Sequence, residues 1–367
     1  MRVQIVDPPA FTPPYDRALC AALAAAGAEV ELLTSHFDYG PVAPAEGYRV
    51  DELFYRRATE RGLERRGRRA SRLVEHLPGM RRLRAAAERA DVVHLQWLSV
   101  PTVDRFLLPD RPRVFTVHYP LPGGAGARAR QRLVLGAMDA LIAHSDYGAQ
   151  SLLELGVEPG RVHRISHGVF EHLTRQPDEQ PLPAELERAE GPVILFFGLL
   201  RPYKGIDILL RAFRELEGAE LWIVGAPRMP LDGLQRLAAA CAGTVRFVPR
   251  FITDPEIPAY FRRADVVVLP YREIEQSGVL YTALAFGRPI VASAVGGLTE
   301  VGERDRALEL VTPGDPESLA AALAELIATP SARDALAAAA ARAASGEYSW
   351  ASVAERTLAL YRGLGCG

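Results

Sequence analysis

Several features that mark particular classes of protein are scarce in this sequence. The 367 residues include only three cysteines, Cys20, Cys241 and Cys366, which lie far apart. We therefore expect no disulfide framework, no cysteine-based metal site and a reducing compartment. The formal net charge is only −2, so no overall electrostatic field favours nucleic acid as a partner.

Long apolar runs are also absent. No stretch approaches the roughly 20 apolar residues of a membrane span. The first residues, MRVQIVDPPAF, lack the apolar core of a signal peptide and instead predict a first strand. We expect a soluble, cytoplasmic protein.

Short apolar runs are plentiful in a sequence that is 49% hydrophobic. They alternate with stretches of helical spacing, which is typical of parallel sheets with helices on their faces. The predicted strands are 3–6, 30–33, 49–55, 91–95, 113–117, 140–143 and 162–165, then 193–197, 221–224, 245–248, 266–269 and 289–292. We expect two doubly wound α/β domains, with the cleft between them as the default ligand site. No G-x-G-x-x-G follows the first strand, which disfavours a dehydrogenase.

The two series of strands are separated by a polar, proline-rich segment at 171–191, which is typical of a linker. We place the N-terminal domain at residues 1–172, the linker at 173–190 and the C-terminal domain at 191–347. A closing helical segment takes up residues 348–367.

The loop after the first strand of the second series carries the strongest chemical signal. In Phe196–Asp207, FFGLLRPYKGID, Gly198 ends the strand, and Arg201 and Lys204 follow just before a helix. An arginine fork, a lysine charge and the positive end of a helix dipole together suit a diphosphate. The alternative is two solvated loop cations.

A second loop in the same domain has small and polar residues at a helix start. Gln276-Ser277-Gly278 precedes a helix whose first backbone N–H groups can hold another side of a phosphate. Alone this is weak, but together with the Arg-x-x-Lys loop it indicates a phosphate-binding site.

Histidines follow several strands of the first half. His94, His118 and His144 lie at or just beyond predicted strand ends, where ligands collect in open α/β sheets. We favour His118, because the glycine-rich loop LPGGAGA follows it closely. Buried, hydrogen-bonded histidines are the alternative interpretation, and their wide spacing disfavours zinc.

Segment 56–89 is rich in arginine, with twelve arginines against four glutamates. A solvated helical face is the default interpretation. The functional alternative is peripheral contact with anionic lipid at the inner face of the plasma membrane, at about 1 kcal/mol per cation. Nucleic acid is disfavoured, because no aromatic residues are interleaved with the arginines.

Three segments, in this order along the chain, carry a family resemblance: FFGLLRPYKGIDILLRAF, ADVVVLPYREIEQSGVLYTALAFGRPIVASAVGGLTE and EYSWASVAERTLALY. They resemble the family-4 retaining glycosyltransferases of the GT-B fold, the group 1 glycosyltransferases, across most of residues 190–362. The N-terminal half is similar more loosely, through TVHYP, AHSDYGAQSLLELGV and ISHGV. The resemblance implies two Rossmann-like domains and a final helix that crosses back to the N-terminal domain.

The resemblance also implies roles for particular residues. Arg201 and Lys204 would bind the donor diphosphate, the loop 249–252 would pack on the nucleotide base, and His118 would reach the transferred sugar. The predicted catalytic residues are His118, Arg201 and Lys204. The predicted donor-binding residues are Gly198, Arg201, Lys204, Arg250, Phe251, Glu275, Gln276, Ser277, Gly278, Val279, Leu280 and Thr282, and the predicted acceptor-binding residues are Tyr15, Asp16 and His118.

Two departures from the family pattern bear on the substrates. Many members carry a Glu-x7-Glu pair, but here Ile274 and Thr282 occupy those positions, with Glu273 and Glu275 flanking the first. Many members also have Gly-Gly in the first loop, where this chain has Pro13-Pro14-Tyr15-Asp16. The identities of donor and acceptor are therefore not implied.

We expect a retaining transferase that moves a sugar from a nucleotide diphosphate sugar to a glycan, lipid-linked or small-molecule acceptor. No Asp-x-Asp occurs, so we expect neither metal nor cofactor, with fixed cations neutralising the leaving group. The alternatives are a non-catalytic nucleotide-sugar-binding subunit and a GT-B epimerase. A phosphorylase is disfavoured, because Lys204 is the only lysine and none remains for pyridoxal phosphate.

Overall fold

The computed structural model describes residues 1–37, 42, 44–57, 65–118, 124–274 and 276–366, with the backbone alone at 65–70. The chain divides into two compact units. Unit 1 consists of Met1–Gly168 and Trp350–Gly367, and unit 2 of Val169–Ser349. Each unit is built on its own parallel sheet, which confirms the expected α/β class.

Unit 1 has a seven-stranded sheet. Its strands are Arg2–Asp7 (β1), Glu29–Thr34 (β2), Arg49–Asp51 (β3), Val92–Leu95 (β4), Arg113–Thr116 (β5), Ala140–Ala143 (β6) and Val162–Arg164 (β7), in the order β3-β2-β1-β4-β5-β6-β7. Every pairing is parallel. The central strands are apolar on both faces because helices cover both. These helices include Pro13–Ala25 (α1), Arg65–Ala87 (α2), Pro101–Asp104 (α3), Ala125–Leu135 (α4) and Asp146–Glu154 (α5).

Unit 2 has a six-stranded parallel sheet. Its strands are Val193–Phe197 (β8), Glu220–Val224 (β9), Thr244–Val248 (β10), Val266–Leu269 (β11), Ile290–Ser293 (β12) and Glu309–Val311 (β13), in the order β10-β9-β8-β11-β12-β13. Its helices are Ala184–Glu187 (α6), Ile206–Ala212 (α7), Asp232–Ala239 (α8), Ile257–Arg263 (α9), Gly278–Ala285 (α10), Gly296–Asp305 (α11), Pro316–Ala328 (α12) and Pro330–Ser345 (α13).

The final helix, Trp350–Gly363 (α14), returns to unit 1 as the sequence predicts. It packs on α1, and Val353, Leu358 and Tyr361 join the apolar core on that face of the sheet. The opposite face is covered by residues of α2, α4 and α5. No described helix is both long and apolar enough to span a bilayer.

Three elements differ from the sequence-based expectation. The strand predicted over 49–55 ends at Asp51, and Tyr55 within the predicted range adopts a φ of +51°, which extended backbone does not allow. β13 was not predicted, because a strand of only three residues gives no apolar run in the sequence. The segment predicted as a linker contains α6, whose Leu186 is buried in the core of unit 2.

Candidate functional site

The two loops singled out in the second half of the sequence lie side by side at the carboxyl edge of the unit 2 sheet. The 3-10 turn Pro202–Lys204 ends at Gly205, which has a φ of +66°. A Cβ built on Gly205 would lie 1.9 Å from the carbonyl oxygen of Pro270, just after β11. Only glycine allows this approach, which joins the loop after β8 to the loop after β11.

Lys204 lies at the centre of this edge. It is only 7% exposed, whereas Arg201 is exposed. A Cβ built on Gly198 would lie 2.9 Å from Lys204 Nζ and 3.2 Å from Cγ2 of Val279. The ammonium therefore sits between the end of β8 and the first turn of α10, and a side chain at position 198 would displace it.

Burial sets the charge state of this lysine. It lowers the pKa of Lys204 to about 8, with Arg201 acting in the same direction and Tyr203 opposing it. The ammonium remains protonated at neutral pH but is poorly solvated there, so an anionic ligand would stabilise it.

The start of α10 is free of side-chain caps. Ser277 precedes the helix without capping it, and its hydroxyl instead lies 3.3 Å from the hydroxyl of Tyr271. The side-chain oxygen of Gln276 accepts a hydrogen bond from the hydroxyl of Tyr281. Gly278 is exposed, so the first N–H groups of α10 are accessible for an anion.

Arg272 holds the two loops together, and sequence reasoning missed it. Its guanidinium donates to both carboxylate oxygens of Asp207, at 2.9 and 2.7 Å, and to the carbonyl oxygen of Pro202 at 2.8 Å. Its backbone N–H donates to the carbonyl oxygen of Tyr203, also at 2.8 Å. Such paired charge-assisted bonds fix geometry. No local sequence pattern predicts a contact between Arg272 and Asp207, which are 65 residues apart in the sequence.

The other predicted donor-binding residues differ in whether their side chains are accessible to a ligand. Phe251 is 60% exposed, and its carbonyl oxygen accepts from Arg250, which also pairs with Glu256. The hydroxyl of Thr282 is committed within α10, donating to the carbonyl oxygen of Gly278 at 2.9 Å.

Ile274, which stands where the family pattern has its first glutamate, packs against the core of unit 2. Glu273, which precedes it, is exposed. Glu275 lies outside the described residues.

In unit 1, His118 lies just past β5 among aromatic rings. Its Nε2 is 2.8 Å from the side-chain oxygen of Gln96, to which the neutral ring donates. The imidazole stacks on the indole of Trp97, with centroids 5.4 Å apart and an interplanar angle of 16°. Tyr15, predicted to contact the acceptor, is buried and meets the rings of His118 and His144.

The histidines at these strand ends are held neutral. Burial lowers the pKa of His94 to about 3 and of His144 to about 4, and the pKa of His118 falls well below its ordinary value for the same reason. His94 lies between the hydroxyls of Thr116 and Tyr361, so it has the partners expected of a core histidine. No described cluster of three or more His, Cys, Asp or Glu side chains is arranged to hold a metal ion.

Asp16, also predicted to contact the acceptor, forms part of a buried carboxyl pair with Asp7. Burial raises the pKa of both, and repulsion from Asp7 raises that of Asp16 further. The pair therefore retains a proton at a pH at which solvated carboxyls are ionised.

Comparison with known proteins identifies the family. The model of group 1 glycosyl transferases matches residues 191–329, and that of Glycosyltransferase Family 4 matches residues 17–171. D-inositol 3-phosphate glycosyltransferase of Kineococcus radiotolerans is 31% identical over 321 residues, which cover 76% of this chain and 73% of that protein. The chain belongs to glycosyltransferase family 4.

Another relative matches this family 4 glycosyltransferase over a shorter length. D-inositol 3-phosphate glycosyltransferase 1 of Catenulispora acidiphila is 34% identical over 263 residues, or 66% of this chain and 62% of that protein. The match therefore spans less than two thirds of that relative.

Solved structures share the fold. Sucrose-phosphate synthase of Thermosynechococcus elongatus has a TM-score of 0.74 at 20% identity and covers 99% of both chains. HepE of Anabaena in complex with UDP has a TM-score of 0.72 at 18% identity, covering 99% of this chain and 100% of that one. This likeness confirms the GT-B class that the sequence predicts.

Proposed function

We propose that this family 4 glycosyltransferase moves a sugar from a nucleotide diphosphate sugar to an acceptor hydroxyl, with retention of configuration and without a metal ion. The observation that carries the proposal is the position of Lys204 Nζ beside Gly198 and the first turn of α10. A buried ammonium, the exposed Arg201 and uncapped helix N–H groups supply the positive charge that a departing nucleoside diphosphate requires. The chain thereby provides the stabilisation that a metal ion gives in other transferases.

Retention is proposed from the family rather than from a residue pair. In this mechanism the acceptor hydroxyl attacks on the side from which the phosphate leaves, and the departing phosphate takes the hydroxyl proton. The fixed cations stabilise the charge that develops on that phosphate. His118, held neutral, contributes hydrogen bonding rather than charge.

The first experiment identifies the donor. Thermal unfolding is followed with UDP-, GDP-, ADP- and dTDP-sugars, beginning with UDP-glucose because HepE was solved with that ligand. A ligand at 100 times its Kd is expected to stabilise the protein by about 2.7 kcal/mol. Transfer is then assayed with EDTA present, and D-inositol 3-phosphate is the first acceptor because the relatives carry that name.

The outcomes separate the alternatives. Transfer that survives EDTA supports the proposal, whereas complete loss restored by Mg²⁺ or Mn²⁺ would show that a metal carries the charge. Donor binding without hydrolysis or transfer would favour the non-catalytic binding subunit. Conversion of the donor into an epimer would favour the epimerase.

We also propose that α2 contacts an anionic lipid surface. Leu73, Val74 and Leu77 are 70%, 75% and 48% exposed, although apolar. The following turns of the same helix expose Arg81, Arg82 and Arg84. Met80, Leu83 and Ala87 of the same helix are buried in the core of unit 1. An apolar surface next to cations is suited to the boundary between acyl chains and charged headgroups.

A further inference from the structure

An aromatic surface lies at the carboxyl edge of the unit 1 sheet, beside His118. Its members are Phe11, in the loop after β1, and Trp97, in the loop after β4. We propose that these two residues form an aromatic platform on which a sugar ring of the acceptor stacks, an inference that rests on the proposed transfer to an acceptor hydroxyl. The platform assigns the acceptor to the glycosides, whether free or linked to a lipid.

Phe11 is presented to solvent by a strained turn. The preceding residue, Ala10, has a φ of +52° and is buried. Residues other than glycine rarely adopt this conformation. The turn directs Ala10 inward and leaves Phe11 62% exposed. Both the strain and the exposure of a phenyl ring are unfavourable in the free protein, which is the pattern expected where a ligand covers the ring.

Trp97 is fixed in place by a hydrogen-bonded chain. Its indole Nε1–H donates to the hydroxyl oxygen of Thr12 at 2.8 Å. The Thr12 hydroxyl in turn donates to the buried carboxyl of Asp16 at 3.4 Å, and the Thr12 backbone N–H donates to Asp7 at 3.2 Å. Because the ring is already held, a ligand that stacks on the platform orders little that was mobile.

The rings of the platform are arranged around the indole. Phe11 meets Trp97 edge to face, with centroids 5.2 Å apart and an interplanar angle of 87°. The ring of His118 stacks on the indole of Trp97. Because Phe11 stands perpendicular to that indole and is exposed, the face on which a sugar ring can stack is that of Phe11, with Trp97 as its support. A ligand that lies against Phe11 and Trp97 is therefore next to the histidine predicted to be catalytic.

A pyranose ring matches this surface chemically. Its axial C–H groups form an apolar face that the electron-rich faces of aromatic rings attract, while its hydroxyls seek hydrogen-bond partners. Gln96 lies beside the platform with its side-chain oxygen bound to His118 and its Nε2 without a partner in the described chain. The carboxyls of Asp7 and Asp16, linked to Trp97 through Thr12, are themselves buried, so the contact that the platform offers a ligand is the apolar face of an aromatic ring.

The test measures acceptor binding and acceptor use separately. Saturation-transfer NMR follows binding of methyl β-glucopyranoside to the full chain without donor, and transfer assays give KM and kcat for the same glycoside. For Phe11→Ala we expect a rise in KM of about tenfold, the scale of one stacking contact, with a much smaller change in kcat and loss of the NMR signal. Phe11→Tyr, which keeps the ring, should behave as the wild type.

Phe106→Ala is the matched control. Phe106 is 68% exposed in the same unit, and removing it should change neither the NMR signal nor KM. This comparison separates loss of the platform from loss of any exposed phenyl ring.

Each other outcome has a definite meaning. Equal KM and equal NMR signals in wild type and Phe11→Ala would overturn the platform, as would a wild type that binds no glycoside. Use of D-inositol 3-phosphate unaffected by Phe11→Ala, without glycoside binding, would overturn the platform and leave the proposed sugar transfer standing. Glycoside binding that depends on Phe11 in a protein that turns over no nucleotide sugar would support the platform and contradict the proposed transfer.

Discussion

The ammonium of Lys204 lies over the ring of Tyr271, with Nζ 5.1 Å from the ring centre. Tyr271 is fully buried, and the next residue, Arg272, forms the fork to Asp207. The ring face compensates part of the hydration that the buried lysine has lost. A cation held in this way keeps its charge in a fixed place, and a diphosphate can supply the stabilisation that remains missing.

Removing either Arg201 or Lys204 is expected to weaken donor binding without unfolding the protein. Arg201→Ala and Lys204→Ala should each cost about 1.5–3 kcal/mol, the scale of a charge-assisted hydrogen bond. Titration calorimetry with the identified donor measures the change. Arg236→Ala, which removes an exposed arginine on α8, serves as control and should bind as the wild type. Unchanged donor affinity in both variants would contradict the assignment of Arg201 and Lys204 to diphosphate binding.

Donor affinity is expected to fall as the pH rises above about 8, the value to which burial lowers the pKa of Lys204. Below that pH the ammonium is already charged and the affinity is constant. Above it, the bound diphosphate raises the lysine pKa, so binding must take up a proton and weakens by up to about tenfold per pH unit.

Lys204→Arg is the control for this pH dependence. The guanidinium stays protonated throughout the range, so the variant should lose the decline, whatever its affinity near neutral pH. Kd is measured for both proteins at several pH values between about 7 and about 9.5. A decline of the same size in the arginine variant would assign the pH dependence to another group.

Gly278→Val is expected to abolish transfer. Thr282→Ala should raise the activation free energy of transfer by only about 1 kcal/mol, the scale of one neutral hydrogen bond. Gly278 does not have a positive φ, and a Cβ there would meet the ring of Phe170 at 3.4 Å, an ordinary contact. The expected loss therefore comes from a side chain that blocks phosphate from the first N–H groups of α10. Steady-state kinetics at saturating acceptor compare the two variants, with circular dichroism to verify folding. Full activity of Gly278→Val would contradict the assignment of this loop.

The exposed face of α2 is expected to bind vesicles that contain acidic lipid and to release them as salt increases. Screening acts within about 8 Å at physiological ionic strength, so the arginine contribution should fade while the apolar one remains. Replacing Arg81, Arg82 and Arg84 by glutamine should remove the dependence on acidic lipid in a sedimentation assay. Equal sedimentation of the wild type with neutral and acidic vesicles would contradict a role for the arginines, and no sedimentation with either would leave only a solvated helix.

A large part of the fold was predictable because buried parallel strands produce a strong local signal. The runs at β8 and β11 are apolar throughout, and covering both faces of a sheet requires this composition. β3 and β13 were the weak points, since each contains only three residues. A strand this short is defined by its hydrogen bonds to a neighbour, which no local pattern records.

For the site, the sequence by itself determined the chemical groups and the loops that carry them. Arg201 and Lys204 stand before a helix, and Gly278 starts another, whatever their neighbours are. The tertiary structure decided which groups meet and in what state. Gly205 reaches the carbonyl oxygen of Pro270 only because β8 and β11 are adjacent in the sheet.

The same distinction explains the groups that sequence reasoning missed. The fork from Arg272 to Asp207 and the contact of Phe11 with Trp97 join distant segments. The lowered pKa of Lys204 arises mainly from burial. A side chain's identity is fixed by the sequence, but its solvation and its partners depend on which strands become neighbours, and only the folded chain decides that.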